Sequence, residues 1–300
     1  MSRAPSFDGK LRIGPAGWSY ADWEGIVYPR PKPRNFHPIP YLGQFFGTIE
    51  INSSFYADPQ VVHATRWRGL ADDLDDFLFT AKLQRAFTHE ASPDDSQFER
   101  QRASFTAGLE PISDRLGALL VQFPISFHDG RSARYRLDRI HEAFGQYPLV
   151  LELRHVSWFE PEALRYIENA GYSLASIDLP FARNHPPADA PTIGPIGYLR
   201  LHGRNSSAWF DARASRDQRY DYLYPPDELE GLVRKTKQIA GGSEITFVVT
   251  NNHYTGKAVA NALELSYRIL GKIVPAPSTL VEHYPQLRGI TTEKGQQSLF

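Results

Sequence analysis

Leu149-Val150-Leu151-Glu152-Leu153-Arg154 and Ser173-Leu174-Ala175-Ser176-Ile177-Asp178-Leu179 decide how this chain is read. Each is a short run rich in strand-forming residues, and residues 160–170 between them carry a helical pattern. Strand, helix and strand in quick succession make a crossover unit. Parallel strands need such a crossover, because a tight hairpin returns the chain antiparallel.

The alternation continues in both directions. Strand signals precede the pair at 11–14, 48–52, 77–83 and 117–123, and follow it at 197–202 and 245–251. Helix-like stretches fill most intervals, at 38–46, 59–73, 96–113, 134–144, 227–240 and 256–270. The exception is 181–195, rich in Pro and Asp, which reads as a loop. Eight such units over about 250 residues predict an α/β fold of the (β/α)8 TIM-type barrel kind. The alternative is an open doubly wound sheet. Its glycine-rich phosphate fingerprint is missing after the first strand, where only Gly14 and Gly17 stand. The barrel is expected to occupy 1–275 as one domain. Beyond Leu270 the chain turns to Pro, Thr and Gln, so 276–300 is expected to be an extended tail.

Composition narrows the function classes. The 300 residues are 41% hydrophobic and 22% charged, as in an ordinary globular protein. There is no apolar run of about 18 residues, so no membrane partner is expected. The polar first ten residues lack a signal-peptide core, and a cytoplasmic location is expected. The absence of cysteine excludes disulfides, thiolate metal sites and cysteine nucleophiles. A net charge of −1 gives no global pull on nucleic acid, so phosphate binding would have to come from local clusters.

In such barrels chemistry sits at the C-terminal ends of the strands. Those ends are polar here. Period-two alternation puts Glu50 and Asn52 on one face, Glu152 and Arg154 on another, and Arg200, His202 and Arg204 together on a third. Lys82 lies in the third strand, Asp178 in the sixth, and Asn251-Asn252-His253 closes the eighth. One reading of Glu50, Lys82, Glu152, Arg154 and Arg200 is a structural ion network. The functional reading makes Arg154, Arg200 and Arg204 an anion site, since guanidinium matches phosphate or carboxylate bidentately. His202 and His253 would then move protons, with Glu50, Glu152 and Asp178 in support. No cofactor is expected. The same carboxylates and imidazoles could hold a divalent metal, but the cationic rim and the lack of a compact ligand motif count against it. Arginines interleaved with aromatics at 127–139 and 204–224 would suit single-stranded nucleic acid or a sugar phosphate, or simply be solvated. Trp18, Tyr20, Trp23 and Trp158 are candidates to line the same cavity.

Several of these phrases occur together in a known family. They are Gly17-Trp18-Ser19-Tyr20, Glu50-Ile51-Asn52 with Phe55-Tyr56, Lys82 with Thr88-His89, and Gln122-Phe123-Pro124. Further on come Glu152-Leu153-Arg154-His155 with Trp158, Asp178, Arg200-Leu201-His202-Gly203-Arg204 and Asn251-Asn252-His253. From 11 to 270 the chain resembles the YecE-like proteins, catalogued as domain of unknown function 72. The resemblance implies a TIM-type barrel; Tyr56 among its phrases joins Asn52, Lys82, Asn251 and Asn252 at the strand ends as residues expected to meet substrate. It implies no reaction. Pro15-Ala16 before Gly17 departs from the small polar residues expected there.

The chain ends Gln296-Gln297-Ser298-Leu299-Phe300. Gln-x-x-Leu-Phe at a terminus resembles the peptide that docks bacterial repair and replication proteins on the sliding clamp. Leu299 and Phe300 would fill an apolar pocket and Gln296 would hydrogen-bond beside it. These features lead to the expectation of an enzyme acting on a phosphate-containing substrate, such as a DNA or RNA strand or an abasic site, recruited to the clamp. The alternatives are a sugar-phosphate isomerase, aldolase or glycosidase-like hydrolase, and a non-catalytic nucleotide- or RNA-binding module.

Overall fold

The computed structural model describes residues 10–90 and 94–294. It is a mixed α/β fold built on parallel strands. In chain order the strands are β1 (Leu11–Pro15), β2 (Thr48–Ile51), β3 (Leu78–Lys82), β4 (Leu116–Gln122), β5 (Leu149–Glu152), β6 (Ser173–Leu174), β7 (Ser176–Asp178), β8 (Ile196–Leu201) and β9 (Ile245–Thr250). The helices between them are α1 (Pro38–Leu42), α2 (Val61–Leu70), α3 (Arg85–Thr88), α4 (Asp95–Leu109), α5 (Arg131–Phe144) and α6 (Pro161–Asn169), then α7 (Ser206–Trp209), α8 (Arg216–Arg219), α9 (Pro226–Gly241) and α10 (Lys257–Leu270). No helix among the described residues is long and apolar enough to cross a membrane.

The strands form two parallel sheets, ordered β1-β9-β8-β7 and β2-β3-β4-β5-β6. Two seams relate them. Between β1 and β2 there is a parallel bridge from Ala16 to Glu50, with Gly17 N donating to Glu50 O at 2.8 Å. The close approach explains Gly14, where a Cβ would stand 1.8 Å from Thr48 O. At the other seam the sequence suggested one strand over 173–179. It is two, divided at Ala175, with β6 pairing to β5 and β7 to β8. The chain changes partner there, and Ala175 N still donates to Leu151 O at 2.8 Å.

Helix faces follow their sequence periods. On α5, Leu137, Ile140 and Phe144 fall three and four residues apart and are wholly buried, each stabilising by roughly 1.5–3 kcal/mol. Asp94 starts α4 by accepting from Gln97 N at 2.9 Å. α10 is buried over 258–266, which its run of small residues permits. Residues 181–195 carry no helix or strand, in line with their composition.

The C-terminal stretch departs from expectation. Rather than extended chain, residues after 270 form β10 (Val274–Pro277), α11 (Ser278–His283) and β11 (Thr291–Lys294), with β10 and β11 paired in parallel. Leu280, Val281 and Leu287 are buried in the main core. Apolar residues spaced among the Pro and Thr supply that anchorage. The docking motif of Gln296, Leu299 and Phe300 lies outside the described residues.

Candidate functional site

Alternation along β8 sends Tyr198, Arg200 and, just past its end, His202 to one face. Arg200 is completely buried. Its Nε and Nη2 donate to Glu50 Oε2 and Oε1 at 3.0 and 2.7 Å, and Nη1 to Glu152 Oε2 at 3.1 Å. Tyr198 Oη donates to Glu50 Oε2 at 2.8 Å. Arg154 closes the other side of Glu152, with Nε and Nη2 at 2.9 and 2.6 Å from Oε1. Two carboxylates are thus matched by two guanidiniums. Burial alone would raise both carboxyls, but Arg200 and Lys82 hold Glu50 low, and Arg154 with Arg200 hold Glu152 well below the usual range.

His202 is sealed into this network. Its Nδ1 lies 3.1 Å from Asn251 Nδ2 and its Nε2 3.4 Å from Glu152 Oε1. Arg200 Nη1, a donor, also faces Nε2 at 3.4 Å, so the ring is held at both nitrogens. Burial lowers the imidazole to about 4, so it stays neutral.

Lys82, half-buried at the end of β3, has a different setting. Its Nζ sits 5.2 Å from the Phe55 ring centroid. No hydrogen bond or ion pair to a described residue satisfies it, and the nearby carboxylates are already paired with arginine. Burial, reinforced by Arg200 and only partly offset by Glu50 and Glu152, lowers its ammonium to about 7. The segment after β2 is pinned to the same strand end, since Ser54 Oγ donates to Lys82 O at 2.8 Å.

A second cluster lies at the end of β7. Arg204 grips Asp178 at 2.6 and 2.9 Å and reaches Glu228 at 3.2 Å. Tyr224 Oη donates to the same Asp178 at 2.7 Å. Asn252 is buried below, its Nδ2 donating to Tyr222 O and Asn261 Oδ1 at 2.8 and 2.9 Å.

Over the ends of β1, β2, β3 and β9 opens a cavity of about 610 Å³, within the range of roughly 300–1,000 Å³ usual for small-molecule sites. Lys82, Asn52, Asn251 and His253 line it, with Trp18, Tyr20, Tyr56, Trp67 and Tyr220 as aromatic wall. Tyr20 stacks on His253 at 4.5 Å between centroids, and Trp67 meets Trp18 edge-on at 5.4 Å. Burial and then Arg216 lower His253 to about 4. Arg216 is the arginine of this wall, and its ion partner is its chain neighbour Asp217 at 2.9 Å.

The expected residues therefore divide. The cavity gathers Trp18, Tyr20, Asn52, Tyr56, Lys82, Asn251 and His253. Glu50, Glu152, Arg200 and His202 lie buried in the network, so they reach a ligand only through their neighbours. Arg154, Arg200 and Arg204, expected to hold a substrate anion, are each bound to carboxylate and do not line the cavity. Asp178 is likewise occupied. Trp158 is wholly buried, stacked on Phe127 with Nε1 donating to Phe127 O at 2.8 Å, and Asn252 is buried outside the cavity wall. Trp23 is also buried, its Nε1 donating to His253 O at 2.8 Å. Oxygens considered as metal ligands are mostly those that bond arginine, and no cluster of three His, Asp or Glu with metal-holding geometry occurs among the described residues. Asp58, His63 and Trp67 also line the cavity, beyond the strand ends that the sequence singles out. The His63–Trp67 spacing of one helical turn was a signal for the last two.

A family model described as protein of unknown function DUF72 matches residues 12–280. The UPF0759 protein YunF of Bacillus subtilis (strain 168) is 27% identical over 269 residues, covering 85% of this chain and 93% of that protein. The crystal structure of a DUF72 family protein from Thermotoga maritima MSB8 aligns with a TM-score of 0.73 at 30% identity, over 88% of this chain and 100% of that one. A DUF72 family protein from Enterococcus faecalis V583 aligns with a TM-score of 0.75 at 22% identity, over 87% and 95%, a likeness of fold.

Proposed function

This chain belongs to the family described as protein of unknown function DUF72, and from that premise we propose that it is an enzyme whose Lys82 attacks a carbonyl compound held in the cavity. The reading takes the two parallel sheets as one closed (β/α)8 barrel, with β6 and β7 as halves of its sixth strand. On that architecture the cavity lies where barrel enzymes place their chemistry.

The observation that carries the proposal is the isolation of the Lys82 amine. Glu50 and Glu152 spend their charge on Arg200 and Arg154. Lys82 is left inside an aromatic-walled cavity without a counter-ion of its own. An amine in such a place is neutral in a substantial fraction near neutral pH, and neutral amine is the nucleophile. The Nζ lone pair forms a bond to the carbonyl carbon while the C–O π pair moves to oxygen. The two amine hydrogens and that oxygen leave as water, giving an imine. Its protonated form withdraws electrons from the adjacent carbon, easing loss of a proton or cleavage of a carbon–carbon bond there. His253 and Tyr20, stacked beside the cavity, fix its wall.

The other readings find less support. A glycosidase needs one protonated carboxyl, whereas Arg200 holds both Glu50 and Glu152 ionised and out of reach. A phosphodiester would meet only Lys82 and Arg216 as cations of the cavity wall, because Arg154, Arg200 and Arg204 are bound to carboxylates and lie outside it. An abasic deoxyribose is itself an aldehyde and belongs among the compounds tested.

The test is reductive trapping. The protein is mixed with small aldehydes and ketones and an abasic oligonucleotide, each with borohydride, and the adduct is mapped by mass spectrometry. A reduced adduct at Lys82, absent from Lys82→Met, is expected. Labelling spread equally over surface lysines in both proteins would overturn the proposal, and so would a non-catalytic binder that traps nothing.

A further inference from the structure

Unpaired acceptors line the same cavity. Eleven buried side-chain polar atoms among the described residues lack a hydrogen-bond partner, and three of them are Asn52 Oδ1, Asp58 Oδ1 and His253 Nδ1. Each of these three belongs to a residue lining the cavity. Such atoms are rare in folded proteins, because an unmade hydrogen bond leaves the full cost of desolvation. The three that belong to one cavity wall mark positions where hydroxyl groups from a ligand, or water standing in for them, complete the bonding. Asn52 and Asp58 can accept there, and so can a neutral imidazole nitrogen.

The walls between these acceptors are aromatic. The segment from Asn52 to Trp67 supplies half of the lining residues, including Tyr56 and Trp67, and Trp18 and Tyr220 stand on other elements. Trp67 is half-buried on α2, packed edge-on against Trp18 and stacked on His63 at 6.4 Å. Aromatic faces alternating with acceptors match a molecule whose apolar C–H faces and hydroxyl edges also alternate. Charge in the wall is balanced rather than strongly cationic, since Lys82 and Arg216 stand with Asp58 among the lining residues. Asp58 adds a negative group to the wall, and Arg216 is matched by Asp217.

We infer that the cavity takes an unphosphorylated sugar, with hydroxyls donating to Asn52, Asp58 and His253 and a ring or chain face resting on Trp18 and Trp67. The inference rests on the proposed amine chemistry only for the identity of the reacting carbon. Hydroxyl recognition stands on the acceptors and the aromatic wall, and is measured without any chemistry.

The experiment follows tryptophan fluorescence of the intact protein during titration with D-xylose, D-glucose, D-fructose and D-fructose 6-phosphate, and with cyclohexanone as a hydroxyl-free carbonyl of similar size. Asn52→Ala, Asp58→Ala and Trp67→Leu are titrated alongside, after circular dichroism has shown them folded. Saturable binding of at least one free sugar is expected, with cyclohexanone failing to saturate. Each polar variant is expected to weaken sugar binding by about tenfold, the worth of one hydrogen bond to a buried acceptor. Equal response to cyclohexanone, tighter binding of the phosphorylated sugar, no saturation by any sugar, or unchanged affinity in both polar variants would each overturn the inference. Sugar binding without a borohydride adduct would sink the amine chemistry alone. Trapping of hydroxyl-free aldehydes without sugar binding would sink this inference alone.

Discussion

Arg200 and Glu50 form a bidentate pair with no solvent contact, at 2.7 and 3.0 Å, joining the two parallel sheets through their side chains. Arg200 belongs to β8 of one sheet and Glu50 to β2 of the other. The pair therefore does structural work across the interior, with Glu152 and Tyr198 completing it. Breaking a buried pair from one side leaves a charge uncompensated.

Glu50→Gln is expected to cost about 3–5 kcal/mol of unfolding free energy, read from urea denaturation. The neutral amide keeps the volume but leaves Arg200 with Glu152 alone. A loss below about 1 kcal/mol, the level of an exposed ion pair, would show that the pair contributes little to holding the sheets together.

Lys82 gives a pH signature of definite sign. Its folded ammonium titrates at about 7, below the ordinary lysine range. At pH 6 both folded and unfolded chains carry the proton, and the fold bears the full cost of enclosing the charge. Between about 7 and the unfolded value the unfolded chain binds the extra proton, so stability rises with pH. Lys82→Met is expected to be more stable than the wild type at pH 6, with the gap narrowing by pH 10. A gap that widened as pH rose would mean that the ammonium is stabilised in place.

Arg154 should tune that amine. Its positive charge is among the influences lowering Lys82, after burial and Arg200. Arg154→Met removes it and returns charge to Glu152, so the pH midpoint of borohydride trapping is expected to move upward. The trapping rate below that midpoint should fall by about tenfold for each unit of displacement. An unmoved midpoint would restrict Arg154 to a packing role.

The fold was legible because it is written in periods. Repeated short apolar runs with helical stretches between them mark parallel crossovers, and the glycine and proline boundaries place most of them. The break at Ala175 was hidden, since a change of partner leaves no trace in a strand-forming run. The last elements were hidden too, because Leu280, Val281 and Leu287 make scattered contacts with the core that have no period. For the site, sequence placed Glu50, Glu152, Arg154 and Arg200 together but gave their roles no geometry. Whether an arginine at a strand end faces a ligand or a carboxylate depends on what the neighbouring strands bring to it. Lys82 stood in the same set, and only the pairing of its neighbours sets it apart. Trp67 and Asp58 lie on α2 and the loop before it, and packing brings Trp67 against Trp18 and Asp58 to the cavity wall.

Gly14 tests how closely the two sheets must meet. It lies in β1 opposite Thr48, where an added methyl carbon would fall 1.8 Å from the carbonyl oxygen and 2.8 Å from its carbon. Backbone cannot step aside as a flexible side chain does, so Gly14→Ala must push β1 from β2. The seam carries the Ala16–Glu50 bridge, and Glu50 in turn holds Arg200. Gly14→Ala is expected to lose at least about 2 kcal/mol, an overpacking cost. It should also lose more of the Lys82 adduct yield than its stability loss accounts for at a temperature where it remains folded. A Gly14→Ala protein as stable as the wild type, trapping aldehydes at the same rate, would show that the seam is loose and that the cavity does not depend on it.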